Sequence, residues 1–94
     1  MKRHRHLIAY DIRDSKRLRE VARIMVGHGI RMQYSVFVCD LTAAERFRLL
    51  GELENVVDRR VDCVACIELG ERDASRFTFI GPSPAFPRTG AQIV

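Results

Sequence analysis

Apolar and polar residues alternate along the chain with two periods, one typical of strands and the other of helices. The stretch from residue 6 to residue 14 reads HLIAYDIRD, an apolar strand that ends at Asp11. Alternate residues of a strand share a face, so Leu7, Ala9 and Asp11 lie on one face. Ile8, Tyr10 and Ile12 lie on the other, and both faces are mostly apolar. Helices on one side of so small a sheet cover one face only. Burying the other face calls for a second copy or another partner.

Two amphipathic helices are predicted after this strand. The first begins at Asp14 or Ser15 and runs to about His28, with Gly29 as a left-handed stop. Its buried stripe comprises Leu18, Val21, Ala22 and Met25. The second opens with the capping-box sequence TAAE and runs to about Val57. Its core residues are Leu49, Leu50, Leu53, Val56 and Val57.

Three further segments are predicted to be strands. Residues 30–39, IRMQYSVFVC, are rich in β-branched and aromatic residues, and the run is long enough to contain a bend or two short strands. Residues 61–69 and the short segment 77–80 follow, and the proline-rich tail is expected to run extended along an edge or a partner. This order of elements predicts an α+β fold, a ferredoxin-like βαββαβ sandwich with an extra C-terminal strand.

The length and composition narrow the class of protein. The chain of 94 residues is predicted to be one domain, in which residues 71–94 pack on a partner protomer. No stretch approaches the roughly 20 apolar residues of a membrane span, and the start does not read as a signal peptide, so the cytoplasm is expected. The three cysteines are expected to be buried, reduced thiols rather than zinc ligands. His4 and His6 lie on the same face of the strand and could chelate a metal. Because they lie near the terminus, both side chains are expected to be exposed to solvent instead.

The basic residues are unevenly distributed. Residues 1–31 carry nine basic and three acidic groups, which gives +6, and the rest of the chain gives −2. Arginine outnumbers lysine fourteen to two, and its planar fork suits bidentate contact with phosphate. An even spread of charge would indicate an ordinary solvated surface. Clustering around Asp11 instead favours a polyanionic partner.

Asp11 is the candidate for chemistry, although a helix-capping or turn-forming role fits an aspartate at a strand end slightly better when the residue is taken alone. If two copies pair through the uncovered sheet face, two Asp11 carboxylates and bound waters can hold Mg²⁺. Such an ion would neutralise a phosphate and orient an attacking water. In this hypothesis Arg17, Arg19 and Arg31 bind neighbouring phosphates.

Two aromatic residues, Tyr10 and Phe37, could position or stack a base beside such a site. Tyrosine and phenylalanine are more often core residues, so a core role and contact with a base both stay open for these two positions.

Three motifs resemble the second of the CRISPR-associated (Cas) protein families. They are YDIRD, HGIR at the end of the first predicted helix, and MQYSVF before the second, capped helix. The resemblance implies a ferredoxin-like homodimer in which residues 77–80 extend the partner's sheet, and a CRISPR integrase subunit as a further partner. It also implies a metal-dependent endonuclease of spacer acquisition, acting on RNA or double-stranded DNA, with Asp11 as catalytic residue and Mg²⁺ ligand. The other residues carried over by motif position are Tyr10, Arg17, Arg19, Arg31, Ser35 and Phe37. Two departures are Val38, where members often have an acid, and the long MKRHRH lead, which could add phosphate contacts.

Two other functions are consistent with the same residues. One is a non-catalytic DNA-binding dimer that bridges integrase subunits, which should tolerate Asp11→Asn. The other is a small-molecule regulatory domain, which the charge clustering disfavours and which predicts no salt-dependent DNA binding.

Overall fold

A computed structural model describes residues 2–71, 77–82 and 92–93 of the chain. Its two helices are α1 (Ser15–Val26) and α2 (Ala43–Glu54). Its strands are β1 (His4–Asp11), β2 (Ile30–Gln33), β3 (Val36–Leu41), β4 (Cys63–Glu71), β5 (Thr78–Phe79) and β6 (Gln92–Ile93). The first four strands form one antiparallel sheet in the order β2-β3-β1-β4, and β5 pairs in parallel with β6. The α+β class is confirmed.

The predicted strand over residues 30–39 is in fact two strands, one of the alternatives the sequence allows. Tyr34 and Ser35 form the turn between β2 and β3, and the register shifts between Arg31 and Gln33. The Ser35 carbonyl accepts a hydrogen bond from the Tyr10 N–H at 3.1 Å. The turn is therefore fastened directly to the end of β1.

Helix α1 begins as predicted but ends earlier. The Asp14 side chain accepts from the Arg17 N–H at 2.9 Å, and Gly27, rather than Gly29, is the C-terminal cap. Gly29 is not left-handed, since the glycines with positive φ in the described residues are Gly70 and Gly81. A Cβ on Gly29 would lie 2.5 Å from the Cys39 Sγ and 2.6 Å from the Val38 carbonyl oxygen. Glycine is needed there because the chain passes so close to β3.

Both helices pack on one face of the sheet. One cluster joins β1, β3 and the helices, and its buried members are Ile8, Tyr10, Val21, Ile24, Met25, Phe37, Cys39, Leu41, Leu49 and Leu53. The buried residues of α1 are Val21, Ile24 and Met25. Leu18 and Ala22, which were also predicted to be buried, are half-buried. The capping box of α2 is confirmed, with the Thr42 Oγ1 accepting from the Glu45 N–H at 3.1 Å.

The opposite face of the sheet carries apolar side chains that no helix covers. Leu7 and Ala9 are half-buried there, and Ile67 is 48% exposed. Arg5 is buried on this face, where its Nε donates to Asp40 at 2.8 Å and its guanidinium lies 5.8 Å from the Phe77 ring centre. The segment that leads into β5 therefore contacts the sheet on the side away from the helices. The predicted tail lies largely outside the described residues, as do residues 72–76.

The predictions for histidine and cysteine are only partly correct. His6 is buried rather than exposed, because β1 begins at His4 and pairs with β3 and β4 from there. Burial lowers the pKa of His6, and its Nδ1 lies 3.0 Å from the His4 carbonyl oxygen. Cys39 is buried, which raises the pKa of its thiol to about 12, but Cys63 is exposed. Neither helix is long and apolar enough to cross a membrane.

Candidate active site at the end of the first strand

Asp11 is the last residue of β1, and its side chain is 67% exposed. Strand alternation places it on the same face as Leu7 and Ala9, away from the helices. Its carboxylate lies 3.3 Å from the Arg13 guanidinium, with the Arg13 side chain similarly exposed. The helix-capping alternative for Asp11 is wrong, because Asp14 caps α1. An exposed carboxylate at a strand end is free to meet a ligand or a second copy.

Tyr10 and Phe37 point the other way, into the core. Tyr10 is 6% exposed and Phe37 is fully buried, and their rings stack with centres 6.2 Å apart and planes inclined by 22°. In one protomer both side chains therefore act as core residues. Contact of either ring with a base stays a prediction, since it requires the rings to leave this packing.

The Tyr10 hydroxyl is buried without a hydrogen-bond partner among the described residues. A buried, unsatisfied hydroxyl is unfavourable, so Tyr10→Phe is expected to leave stability unchanged or raise it by about 1 kcal/mol. Thermal and urea unfolding measure this directly. A loss of stability would show that the hydroxyl has a partner, whereas a loss of cleavage with stability retained would assign it a role toward substrate.

Arg17 is held by a buried carboxylate that the sequence did not indicate. Its Nε and Nη2 donate to the two Asp62 oxygens at 2.7 and 3.2 Å, and the Asp62 side chain is fully buried. The same carboxylate accepts backbone N–H groups of Arg13 and Asp58, each at 2.8 Å. The hydrogen bonds from Arg17 come first among the causes that hold the pKa of Asp62 well below its usual range. Arg17 thus fixes the start of α1 to the loop before β4.

The other predicted site residues lie around the β2–β3 turn and along α1. Arg19 is exposed on α1. The Arg31 guanidinium lies 5.1 Å from the Phe37 ring centre and 5.9 Å from that of Tyr34, within cation–π distance of both rings. Ser35 is half-buried in the turn, where its carbonyl holds Tyr10.

The positive charge is less concentrated than the count over residues 1–31 indicates. In the described part of the chain, each acidic side chain lies within 4.0 Å of a basic side chain, and four of these pairs involve residues 2–5. The described basic residues without such a carboxylate partner are Lys16, Arg19, Arg31, Arg46 and Arg48. The first three extend from α1 to β2, and the last two lie on α2. Among the described residues, these five carry the charge available to an anionic partner.

One protomer supplies part of the ligand set that a magnesium ion needs. Within residues 2–71, 77–82 and 92–93, no three His, Cys, Asp or Glu side chains are grouped so that they could hold a metal ion. Asp11 supplies an exposed carboxylate, the ligand type that Mg²⁺ prefers. A second acid from another copy of the chain would complete the pair.

A family model described as CRISPR associated protein Cas2 matches residues 4–77, which is well over half of the chain. Among curated relatives, the CRISPR-associated endoribonuclease Cas2 1 of Rhodospirillum rubrum is 42% identical over 71% of this chain and 66% of its own length. CRISPR-associated endoribonuclease Cas2 of Nitratidesulfovibrio vulgaris is 31% identical over 94% of this chain and 91% of its own length.

Two solved structures share the fold. Streptococcus pyogenes Cas2 is 35% identical, with a TM-score of 0.65 over 70% of this chain and 86% of that one. A Thermus thermophilus protein described as hypothetical is 26% identical, with a TM-score of 0.70 over 72% of this chain and 83% of that one. The family model, both curated relatives and the Streptococcus structure lead to one conclusion: the chain belongs to the family of the CRISPR associated protein Cas2.

Proposed function

We propose that the protein is a metal-dependent endonuclease of the CRISPR spacer-acquisition machinery that hydrolyses phosphodiester bonds of RNA or double-stranded DNA. Family membership and the relatives' description as endoribonucleases support a nuclease. The observation that carries the proposal is the exposed carboxylate of Asp11 at the end of β1, on the sheet face that the helices leave open. A carboxylate in that position can meet a phosphodiester without any rearrangement of the core.

The active form in this proposal is a ferredoxin-like homodimer. Its interface is the apolar face around Leu7, Ala9 and Ile67, and the β5 segment extends the partner's sheet. The two-fold axis supplies the second Asp11, and the two carboxylates would hold Mg²⁺. Bound there, the ion would supply charge neutralisation at a phosphate oxygen and lower the pKa of a water ligand.

The remaining residues of the site orient the nucleic acid. Arg19 and Arg31 have no carboxylate partner among the described residues, and each could bind a phosphate. Arg17 contributes by holding the loop that contains Asp62, since its two bonds to that carboxylate occupy its fork. Arg13 beside Asp11 would give up its ion pair when substrate or metal arrives.

The test is cleavage of labelled single-stranded RNA and double-stranded DNA with Mg²⁺ and after its removal by EDTA. Cutting that requires Mg²⁺ and returns when the ion is restored is the expected result. Cutting that persists in EDTA would contradict a metal-dependent mechanism. Analytical ultracentrifugation of the same sample checks the dimer, and a monomer that cuts at full rate would contradict the shared site.

A second candidate function is a non-catalytic DNA-binding dimer that bridges CRISPR integrase subunits. The observation that favours it is that the Asp11 carboxylate is already paired with Arg13, and that Val38 stands where a second acid could lie. Such a dimer would bind duplex DNA in a salt-dependent way and co-purify with the integrase, without cutting either nucleic acid. Absence of both DNA binding and co-purification would rule it out.

A further inference from the structure

The first turns of α2 present an aromatic side chain to solvent. Phe47 is 80% exposed, although it lies on a helix whose neighbouring residues Leu49 and Leu53 are buried. Single exposed apolar side chains are common on protein surfaces and by themselves indicate nothing. This one lies between two arginines, Arg46 and Arg48, that are exposed as well.

Neither arginine forms an ion pair with a carboxylate of the described residues. Their nearest acidic neighbours along α2 are already engaged, since Glu45 pairs with Arg3 at 2.8 Å and Glu52 lies 3.5 Å from the His28 ring. By contrast, other exposed arginines in the described region, such as Arg59, pair with acids. The surface around Phe47 is therefore one of the few places where positive charge is available to a partner.

The geometry of the helix makes these three side chains leave α2 in different directions. Successive residues of an α-helix are rotated by about 100°, so Arg46 and Arg48 leave the helix on either side of Phe47. Arg46 lines a cavity of about 430 Å³ whose other polar residues are Lys2, His4, His6 and Glu68. Arg48 lines another of about 360 Å³ on the other side, where three carboxylates also lie, those of Asp40, Glu45 and Glu52. Each of these four acids pairs with another basic side chain. Phe47 thus stands on a ridge with one arginine that has no carboxylate partner on each flank.

Three of the four residues one turn from Phe47 are small. Ala43 and Ala44 lie one turn before it, and Gly51 lies one turn after it with nothing within 4 Å of the position a Cβ would occupy. The fourth, Leu50, is half-buried. A planar group can therefore reach the exposed ring from the side of the small residues. Aromatic rings flanked by cationic side chains bind single-stranded nucleic acid by base stacking and phosphate contact.

We propose that Arg46, Phe47 and Arg48 form a second nucleic-acid surface, the α2 ridge, which binds a single-stranded segment by stacking an unpaired base on Phe47. The two guanidinium groups bind the phosphates on either side of that base. The ridge lies near the end of the sheet where β3 ends and β1 begins, because His4 pairs with Leu41. It is separated from Asp11 by most of the length of β1, roughly 20 Å. It is therefore distinct from the cleavage site and binds nucleic acid whether or not Asp11 is catalytic.

The experiment measures binding of the full-length protein in EDTA, so that metal-dependent cutting cannot affect the result. The probes are a fluorescein-labelled single-stranded oligonucleotide and the blunt duplex of the same sequence, each followed by fluorescence anisotropy. Phe47→Ala is expected to weaken single-strand binding by about 5- to 100-fold, the range for loss of one stacked base, and to change duplex binding less than about twofold. Phe47→Tyr is expected to bind the single strand like wild type.

The charges are tested by the salt dependence of binding. The double variant Arg46→Gln, Arg48→Gln is expected to reduce the slope of log K against log salt by between about one and two for the single strand. The matched control, Arg59→Gln with Arg60→Gln, removes the same charge from arginines that pair with Glu54 and Asp58, and is expected to leave the slope nearly unchanged. Circular dichroism of each variant checks that α2 remains folded.

Two outcomes would overturn the proposal. One is unchanged single-strand binding by Phe47→Ala. If that variant loses binding to a protein partner instead, the ridge is a protein-binding surface. The other is an equal loss of single-strand and duplex binding, which would show that Phe47 does not distinguish an exposed base.

Discussion

Replacing Asp11 with asparagine is expected to lower Mg²⁺-dependent cleavage by at least about 100-fold, while nucleic-acid binding is retained. Substitutions that only support a metal ligand typically cost 10- to 100-fold, so loss of the ligand's charge should cost at least as much. Asparagine keeps the shape of the side chain, and at a position 67% exposed it disturbs no packing. Removing a negative charge beside Arg13 should leave affinity for a polyanion equal or slightly higher.

The measurement compares wild type, Asp11→Asn and Glu20→Gln purified identically, on RNA and on duplex DNA. Glu20→Gln is the matched control, because it also neutralises a partly exposed carboxylate that pairs with a nearby arginine, Arg23. Cleavage lost only in Asp11→Asn would support the metal nuclease. Equal cleavage in all three would mark the cutting as contamination and contradict the role of Asp11. Absence of cutting in every sample, with salt-sensitive binding, would favour the scaffold.

The fold was predictable because its signals are local. The apolar run that ends at Asp11, the capping box at Thr42 and the helical spacing of Leu49 and Leu53 each depend on neighbours in sequence. The turn at Tyr34 and Ser35 was not resolved, because both residues also suit a strand and no glycine or proline marks the reversal. What fixes that turn is its hydrogen bond to Tyr10, a contact between distant parts of the chain.

The site was predictable only in part for the same reason. Asp11 could be selected from its place at a strand end, but the partner of Arg17 lies 45 residues away in sequence. Asp62 stands in an ordinary polar loop, VVDRRVD, and no periodicity there indicates a buried acid. A count of charges also gave no sign that residues 2–5 would each meet a carboxylate from a distant part of the sequence.

Asp62→Asn is expected to destabilise the protein strongly and to change its response to acid. The buried carboxylate accepts from Arg17 twice and from the backbone N–H groups of Arg13 and Asp58. An asparagine amide turns a donor toward groups that are themselves donors and leaves the Arg17 guanidinium without its counter-charge. The thermal midpoint is expected to fall by roughly 10 °C or more. The matched control is Asp11→Asn, an exposed site where the midpoint should stay close to wild type.

The direction of the acid response follows from the lowered pKa of Asp62 in the folded protein, caused first by its hydrogen bonds from Arg17. Stability from this group is fully present above the unfolded-state pKa of about 3.9 and is lost as pH falls toward the folded value. Wild type should therefore lose stability below about pH 4, and Asp62→Asn should lose less over the same range. Some slope should remain, because Glu45 and Asp58 also have pKa values lowered to about 2. Thermal melts from neutral pH to about pH 2 measure both slopes, and parallel curves would show that Asp62 does not hold α1 to the loop before β4.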